Sequence, residues 1–189
     1  MKRVLSCLVA MLITAGLVTM AVEIGQVPPQ IELSEKTGGR VDGTAWSSSE
    51  IRGKVYTLMY VDPDEKEMNV HVEQALKKMD FPKDRYGSIA VINMEATWKP
   101  NAIINSILRK KQEEFPDTIY VRDMDFYLAH AWNLREKSSY AVLTFAPDGR
   151  LLFQKDGKLS DAEVQELIGI IQDQLAAAPT EPDSNDEVE

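Results

Sequence analysis

Val55-Tyr56-Thr57-Leu58-Met59-Tyr60-Val61 runs without a break into Asp62-Pro63-Asp64-Glu65. The first seven residues are β-branched, aromatic or apolar at nearly every position. A strand with one wet face would alternate, so this run predicts a central strand covered on both sides. The four residues after it carry a helix-start signature. Asp62 can accept from an orphan backbone N-H, Pro63 fits the first helical position, and Glu65 stands three residues after the cap. Met68, Val72, Leu76 and Met79 follow at helical spacing with Ala75 beside them, and Phe81-Pro82 ends the stripe. A buried strand feeding directly into an amphipathic helix is the opening of an α/β unit.

The remaining order extends that unit. Ile89-Ala90-Val91-Ile92 reads as a second buried strand, and residues 100–115 as a helix with Ile103, Ile104, Ile107, Leu108 and Phe115 on one side. Thr118-Ile119-Tyr120-Val121 predicts a third strand, and residues 125–132 a short helix. Residues 141–145 and 151–154 flank the turn Asp148-Gly149 and form a hairpin. Ser160-Asp161-Ala162-Glu163 is a second capping box, leading a helix with Val164, Leu167, Ile168, Ile171 and Leu175 in phase. On the N-terminal side, residues 31–41 predict short strands broken by Gly38-Gly39, and Ser47-Ser48-Ser49-Glu50 a short connection. The order β-α-β-α-β-(α)-β-β-α is that of an α/β domain with a central mixed sheet flanked by helices.

Composition bounds the function. The chain has 189 residues, one cysteine, two histidines and a net charge of −9. One sulfur excludes an internal disulfide, a CxxC pair and a multi-thiolate zinc site. The acidic balance counts against nucleic acid, which is bound by releasing counterions from phosphates with Lys and Arg. Lys2 and Arg3, the apolar residues 4–18 and the small residues Thr19 and Ala21 predict a signal peptide over residues 1–21, cleaved after Ala21. A retained anchor competes, because residues 4–22 carry no charge and about 20 residues span a bilayer. Cys7 lies within this segment and leaves with it on cleavage. Residues 176–189 carry five acids and no base, too polar to offset the entropy of ordering, and predict a disordered acidic tail. Residues 22–175 are then one periplasmic domain.

Several modest motifs stand in a fixed series: Trp46, Gly53-Lys54-Val55, Lys66-Glu67-Met68-Asn69, Phe81-Pro82-Lys83-Asp84-Arg85-Tyr86 and Val91-Ile92-Asn93. Ala131-Trp132, Ser138-Ser139, Asp148-Gly149-Arg150 and Lys155-Asp156-Gly157 complete it. In this series the chain resembles the YtfJ family of small exported bacterial proteins, over about residues 25–175. The resemblance implies a thioredoxin-like fold of the peroxiredoxin-like variant and carries no established activity. More distantly the chain is similar to thiol oxidoreductases and peroxiredoxins. In those proteins the reactive cysteine follows the first core strand, where a helix N-terminus lowers the thiol pKa. Here that junction is Asp62-Pro63-Asp64-Glu65. A peroxiredoxin pattern Pro-x-x-x-Thr/Ser-x-x-Cys counted from Pro63 meets Glu67 and Val70. The place of the cis-proline before the hairpin falls near Ser139-Tyr140, and neither is proline.

The resemblance therefore implies a kept fold with redox chemistry lost, and the former active-site edge, Asp62, Pro63, Asp64, Glu65, Ser139 and Tyr140, as the place to hold an envelope protein or peptide. No cofactor, nucleic acid or membrane contact after cleavage is expected. A carboxylate- or metal-dependent hydrolase is the alternative. His71 with Glu67, or the acids Asp62, Asp64, Glu65 and Glu67, could supply ligands, though helix capping already explains these acids. No G-x-S-x-G, G-x-G-x-x-G or P-loop pattern occurs. Trp46, Trp98 and Trp132 pack in the core or line a groove.

Overall fold

A computed structural model describes residues 22–177. The segments read as a signal peptide (1–21) and, beyond Ala177, as an acidic tail lie outside these residues. The elements are strands β1 (Glu32–Leu33), β2 (Gly38–Arg40), β3 (Trp46–Ser47) and β4 (Val55–Val61), helix α1 (Val70–Met79) and strand β5 (Tyr86–Asn93). Helix α2 (Asn101–Glu114), strand β6 (Thr118–Asp123), helix α3 (Tyr127–Trp132), strands β7 (Tyr140–Phe145) and β8 (Leu151–Asp156) and helix α4 (Asp161–Ala177) follow. Six strands form one mixed sheet in the order β2-β6-β5-β4-β7-β8, and β1 pairs with β3 apart from it. Strands β4, β5 and β6 are parallel, while β2, β7 and β8 run antiparallel to their neighbours.

The run at residues 55–61 is apolar because both its faces are covered. Val55, Met59 and Val61 point to a core shared with Val72 and Leu76 of α1, Ile104 and Leu108 of α2, and the buried stripe of α4. Tyr56, Leu58 and Tyr60 point the other way, to Leu33, Trp46, Leu128 and Trp132. The period of two is intact beneath a sequence that shows no alternation. The second capping box forms as expected: the Ser160 N-H donates to Glu163 Oε2 (2.7 Å) and the Glu163 N-H to Ser160 Oγ (3.3 Å). Bonding from Lys155, then from Ser160, holds the Glu163 carboxyl down at about 2. Helix α4 runs to Ala177, two residues past the expected boundary.

Three local readings are corrected. The helix does not open at Asp62. Residues 62–69 form successive turns and α1 starts at Val70, because the Asp62 N-H donates to Ser139 O (3.1 Å) and so continues the sheet. Gly38-Gly39 does not break a strand but lies within β2. A Cβ on Gly38 (φ +126°) would stand 1.9 Å from the Arg122 carbonyl oxygen, so glycine permits β2 to approach β6. The α2 stripe is half solvent-facing: Ile104 and Leu108 are buried, but Ile103 and Ile107 are exposed. Residues 25 and 26 reach the far edge of the hairpin, where the Gly25 N-H donates to Leu151 O (2.7 Å) and the Leu151 N-H to Gln26 O (2.8 Å).

Gly38→Ala is expected to lower the unfolding free energy by more than about 2 kcal/mol, through a clash and a disallowed φ together. Gly43, also at positive φ (+94°), has open space around it, so Gly43→Ala should cost only about 1 kcal/mol. Urea midpoints of the two variants check the difference.

Candidate functional site

Each parallel strand ends on a polar side chain or, for β4, one residue before it. Val61 is in register with Ile92, which sets Asp62 beside Asn93, and Asn93 is itself in register with Asp123. All three are buried. Each takes up backbone groups that the turning chain leaves without ladder partners, which a buried loop must do.

Asp62 accepts from two N-H groups, Asp64 at Oδ1 (2.9 Å) and Ser138 at Oδ2 (2.9 Å). The Asn93 amide donates to Glu136 O (2.6 Å), and its oxygen accepts from the Glu95 N-H (3.2 Å). Asp123 accepts from Tyr60 Oη (2.8 Å) and from the N-H groups of Leu128 (3.0 Å) and Ala129 (3.4 Å). Burial pushes the Asp123 carboxyl above its usual range despite these donors, and burial followed by the nearby Asp123 charge pushes the Tyr60 phenol up as well.

The structure brings the expected edge together in space. Asp62 joins Ser138 and Ser139, 76 and 77 residues away. Asp62, Pro63, Ser139 and Tyr140 are buried, however, so only Asp64 and Glu65 offer side chains to solvent. Ser139 Oγ donates to Asp156 Oδ1 (2.5 Å), and Tyr140 Oη donates to Glu73 Oε1 (2.7 Å). Burial, then Glu73, pushes the Tyr140 phenol up. Asn69 ties the start of α1 to the loop before α4, donating to Gly157 O (2.9 Å) and accepting from the Leu159 N-H (3.0 Å). His71 Nε2 lies 2.9 Å from Leu159 O and His130 Nε2 2.9 Å from Glu136 Oε1. Among the described residues no three His, Cys, Asp or Glu side chains converge as metal ligands.

The exposed groups at this end of the sheet are different ones. Lys99 pairs with Asp64, which holds the Asp64 carboxyl below its usual range. Next to Lys99, Trp98 is 86% exposed, whereas Trp46 and Trp132 are core residues. Reading by sequence missed Asn93 and Asp123 as closures of the strand ends and Asn69 as an anchor. The available signal was a polar residue soon after each apolar run, Asn93 after Ile92 and Asp123 two places after Val121; Asn69 follows no such run.

Replacing Asp62 by Ala removes the two half-buried hydrogen bonds that it accepts from the Asp64 and Ser138 N-H groups and is expected to cost about 1–2 kcal/mol, read by urea denaturation. Asp123 carries a pH signature of its own. Its folded pKa lies above the unfolded value of 3.8, so the folded state holds the proton more tightly. That stabilisation is complete below pH 3.8 and is lost as pH rises through the folded pKa. The stability of the wild type relative to Asp123→Asn should therefore fall on going upward from pH 3.8; a flat difference would refute it.

Comparison with known proteins places this geometry. Among solved structures, the exposed lipoprotein thioredoxin Etrx1 of Streptococcus pneumoniae superposes with a TM-score of 0.54 at 17% identity, covering 75% of this chain and 99% of that one. A thiol-disulfide isomerase of Corynebacterium glutamicum gives 0.53 at 18% identity, covering 76% and 95%. These likenesses establish a thioredoxin-like fold. In sequence, the uncharacterized protein YtfJ of Escherichia coli K12 is 29% identical over 158 residues, 79% of this chain and 85% of the relative. An uncharacterized protein of Haemophilus influenzae is 24% identical over 178 residues, 90% and 96% respectively. The profile of the family described as "Bacterial protein of unknown function (YtfJ_HI0045)" matches residues 20–174, and the chain belongs to that family.

Proposed function

We propose that this chain is a non-catalytic, exported thioredoxin-like protein that holds a protein or peptide partner in the periplasm, at the edge where thiol enzymes of this fold keep their active site. The observation that carries the reading is Asp62. At the junction that bears the reactive sulfur in thiol oxidoreductases stands a buried carboxylate with both oxygens occupied, bonded across to the segment that would face the thiol. A negative charge there opposes a thiolate, and the only cysteine, Cys7, lies 55 residues away in the segment read as a signal peptide. What remains is a rigid edge: Asp64 and Glu65 face solvent, with Pro63, Ser139 and Tyr140 packed beneath. Ligands of open α/β sheets bind beyond the carboxyl ends of the parallel strands, which is this end.

The test places a photoreactive residue at Asp64 or Ser138, both exposed, and a control at Asp173 on α4, in the protein expressed in its own host. One envelope protein recovered from both positions and not from the control is the expected result. Equal recovery from all three, or none, overturns the binding edge. Redox inactivity is tested separately by dithiothreitol-driven insulin reduction. No acceleration is expected, and a rate abolished by Cys7→Ser would overturn that part of the reading.

A further inference from the structure

The two ends of the sheet differ in charge. Where the parallel strands finish, residues 62–67, 93–99, 123–137 and 155–163 carry eleven acids and six bases. Where they begin, residues 50–54, 77–85, 109–117 and 148–150, with Asp173 near the end of α4, carry eight acids and ten bases. Helix α4 delivers the C-terminal segment to this second, basic end. Arg85 Nη1 donates to Leu175 O in the last turns of α4 (2.8 Å), and Arg85 O accepts from the Val55 N-H at the start of β4 (2.9 Å). Lys54 Nζ donates to Lys83 O (2.6 Å), and Arg52 is exposed beside Gly149. Leu175, Arg85, Lys54 and Arg52 thus lie along one path. The neighbouring bases Lys83 and Arg150 are paired with Asp117 and Asp148, and Asp80 and Asp84 are offset in number by Lys77 and Lys78. Among the described residues no carboxylate pairs with Arg85, Lys54 or Arg52. Past Arg52 the path meets a cleft of about 60 Å³ that Val27, Pro28, Ile51, Trp132 and Phe145 line.

We propose that this path is the docking surface for the chain's own residues 178–189, whose carboxylates pair with Arg85, Lys54 and Arg52 and whose Val188 enters the cleft. The segment carries five acids and no base, and it starts directly after the turn of α4 that Arg85 holds. Fully extended, its twelve residues reach about 40 Å. The route is shorter: Arg85 is one side chain from Leu175, and Arg52 stands three residues before Val55, at most about 11 Å from it. Val188 is the only large aliphatic residue of the segment, and Glu187 and Glu189 on either side of it would straddle Arg52. Exposed ion pairs are individually weak. Here several act in line, joined to an apolar end group, and the tether holds them at an effective concentration of about millimolar. The acidic opposite end of the sheet repels the same segment. An acidic stretch of a separate protein would have to compete against the tethered one. The fold-back does not depend on the proposed partner-binding edge, which lies at that opposite end.

The full chain, purified as its host processes it, is treated at low micromolar concentration with a carbodiimide, which joins an amine to a carboxylate in contact with it. The reaction is run in about 10 mM and about 1 M NaCl, between which the Debye length falls from about 30 to about 3 Å. Each lysine's yield is normalised to its coupling with free acetate. At low salt an amide between Lys54 and an acid of residues 178–189 is expected within one molecule. It should be at least about threefold more abundant than amides from the same segment to Lys66 or Lys137 at the other end of the sheet, and it should be lost at high salt. Arg52→Glu and Val188→Asp, with folding checked by circular dichroism, should each lower the Lys54 yield at least about threefold and leave that of Lys66 unchanged. Equal yields at the three lysines, or none at Lys54, overturn the proposal. So does a Lys54 amide that both variants leave unchanged, or one that forms only between molecules in a mixture of isotope-labelled and unlabelled protein.

Discussion

Three parallel strands stop side by side, and at their carboxyl ends the backbone loses its ladder while still inside the protein. The N-H and carbonyl groups released there need new partners, those facing Asp123 without water. Asp62, Asn93 and Asp123 meet this constraint as a row, each reaching into the loop that leaves or crosses its strand. Because Asp62 binds Ser138 and Asn93 binds Glu136, the same row fixes the segment entering β7. Because Asp123 receives the first N-H groups of α3, it also fixes the helix that covers the second face of the sheet. The positions of the hairpin, of α3 and of the exposed loop carrying Trp98 all descend from this closure.

The use of carboxylates here has an electrostatic cost. Among the described residues Asp123 is met by hydrogen-bond donors and no paired cation, and burial raises its pKa despite them. Asp62 closes its loop by accepting the N-H groups of Asp64 and Ser138.

Much of the architecture is legible from periodicity. The order of elements from residue 55 onward, the Asp148-Gly149 hairpin and the Ser160 capping box are all local features, and local features are what a sequence displays. The start of α1 shows the limit. Asp62-Pro63-Asp64-Glu65 has every residue a capping box wants, yet a bond to Ser139 competes for Asp62, and a contact 77 residues away leaves no trace in the local pattern. Ile103 and Ile107 fail for a related reason. Period 3.6 finds an apolar arc but does not say how much of it the sheet can cover. Gly38-Gly39 looks like a break because glycine weakens strands, while its function here is close approach to β6. Of the residues expected to form an edge, Asp62, Pro63, Ser139 and Tyr140 are buried, which their local pattern does not display.

The cover over the outer edge of the hairpin has a consequence for the order of folding. Gly25 and Gln26 bond to Leu151, about 125 residues further along the chain. In a polypeptide that emerges from its N-terminus, the capping segment is made early and must wait for almost the entire domain before its partner exists. Contacts of such separation close late. Until they do, Leu151 at the start of β8 presents an unpaired N-H and carbonyl at the margin of a largely formed sheet, and unpaired strand edges are templates for aggregation. The interval between completing β8 and seating residues 25 and 26 is thus the period in which this chain most needs to be kept apart from its neighbours.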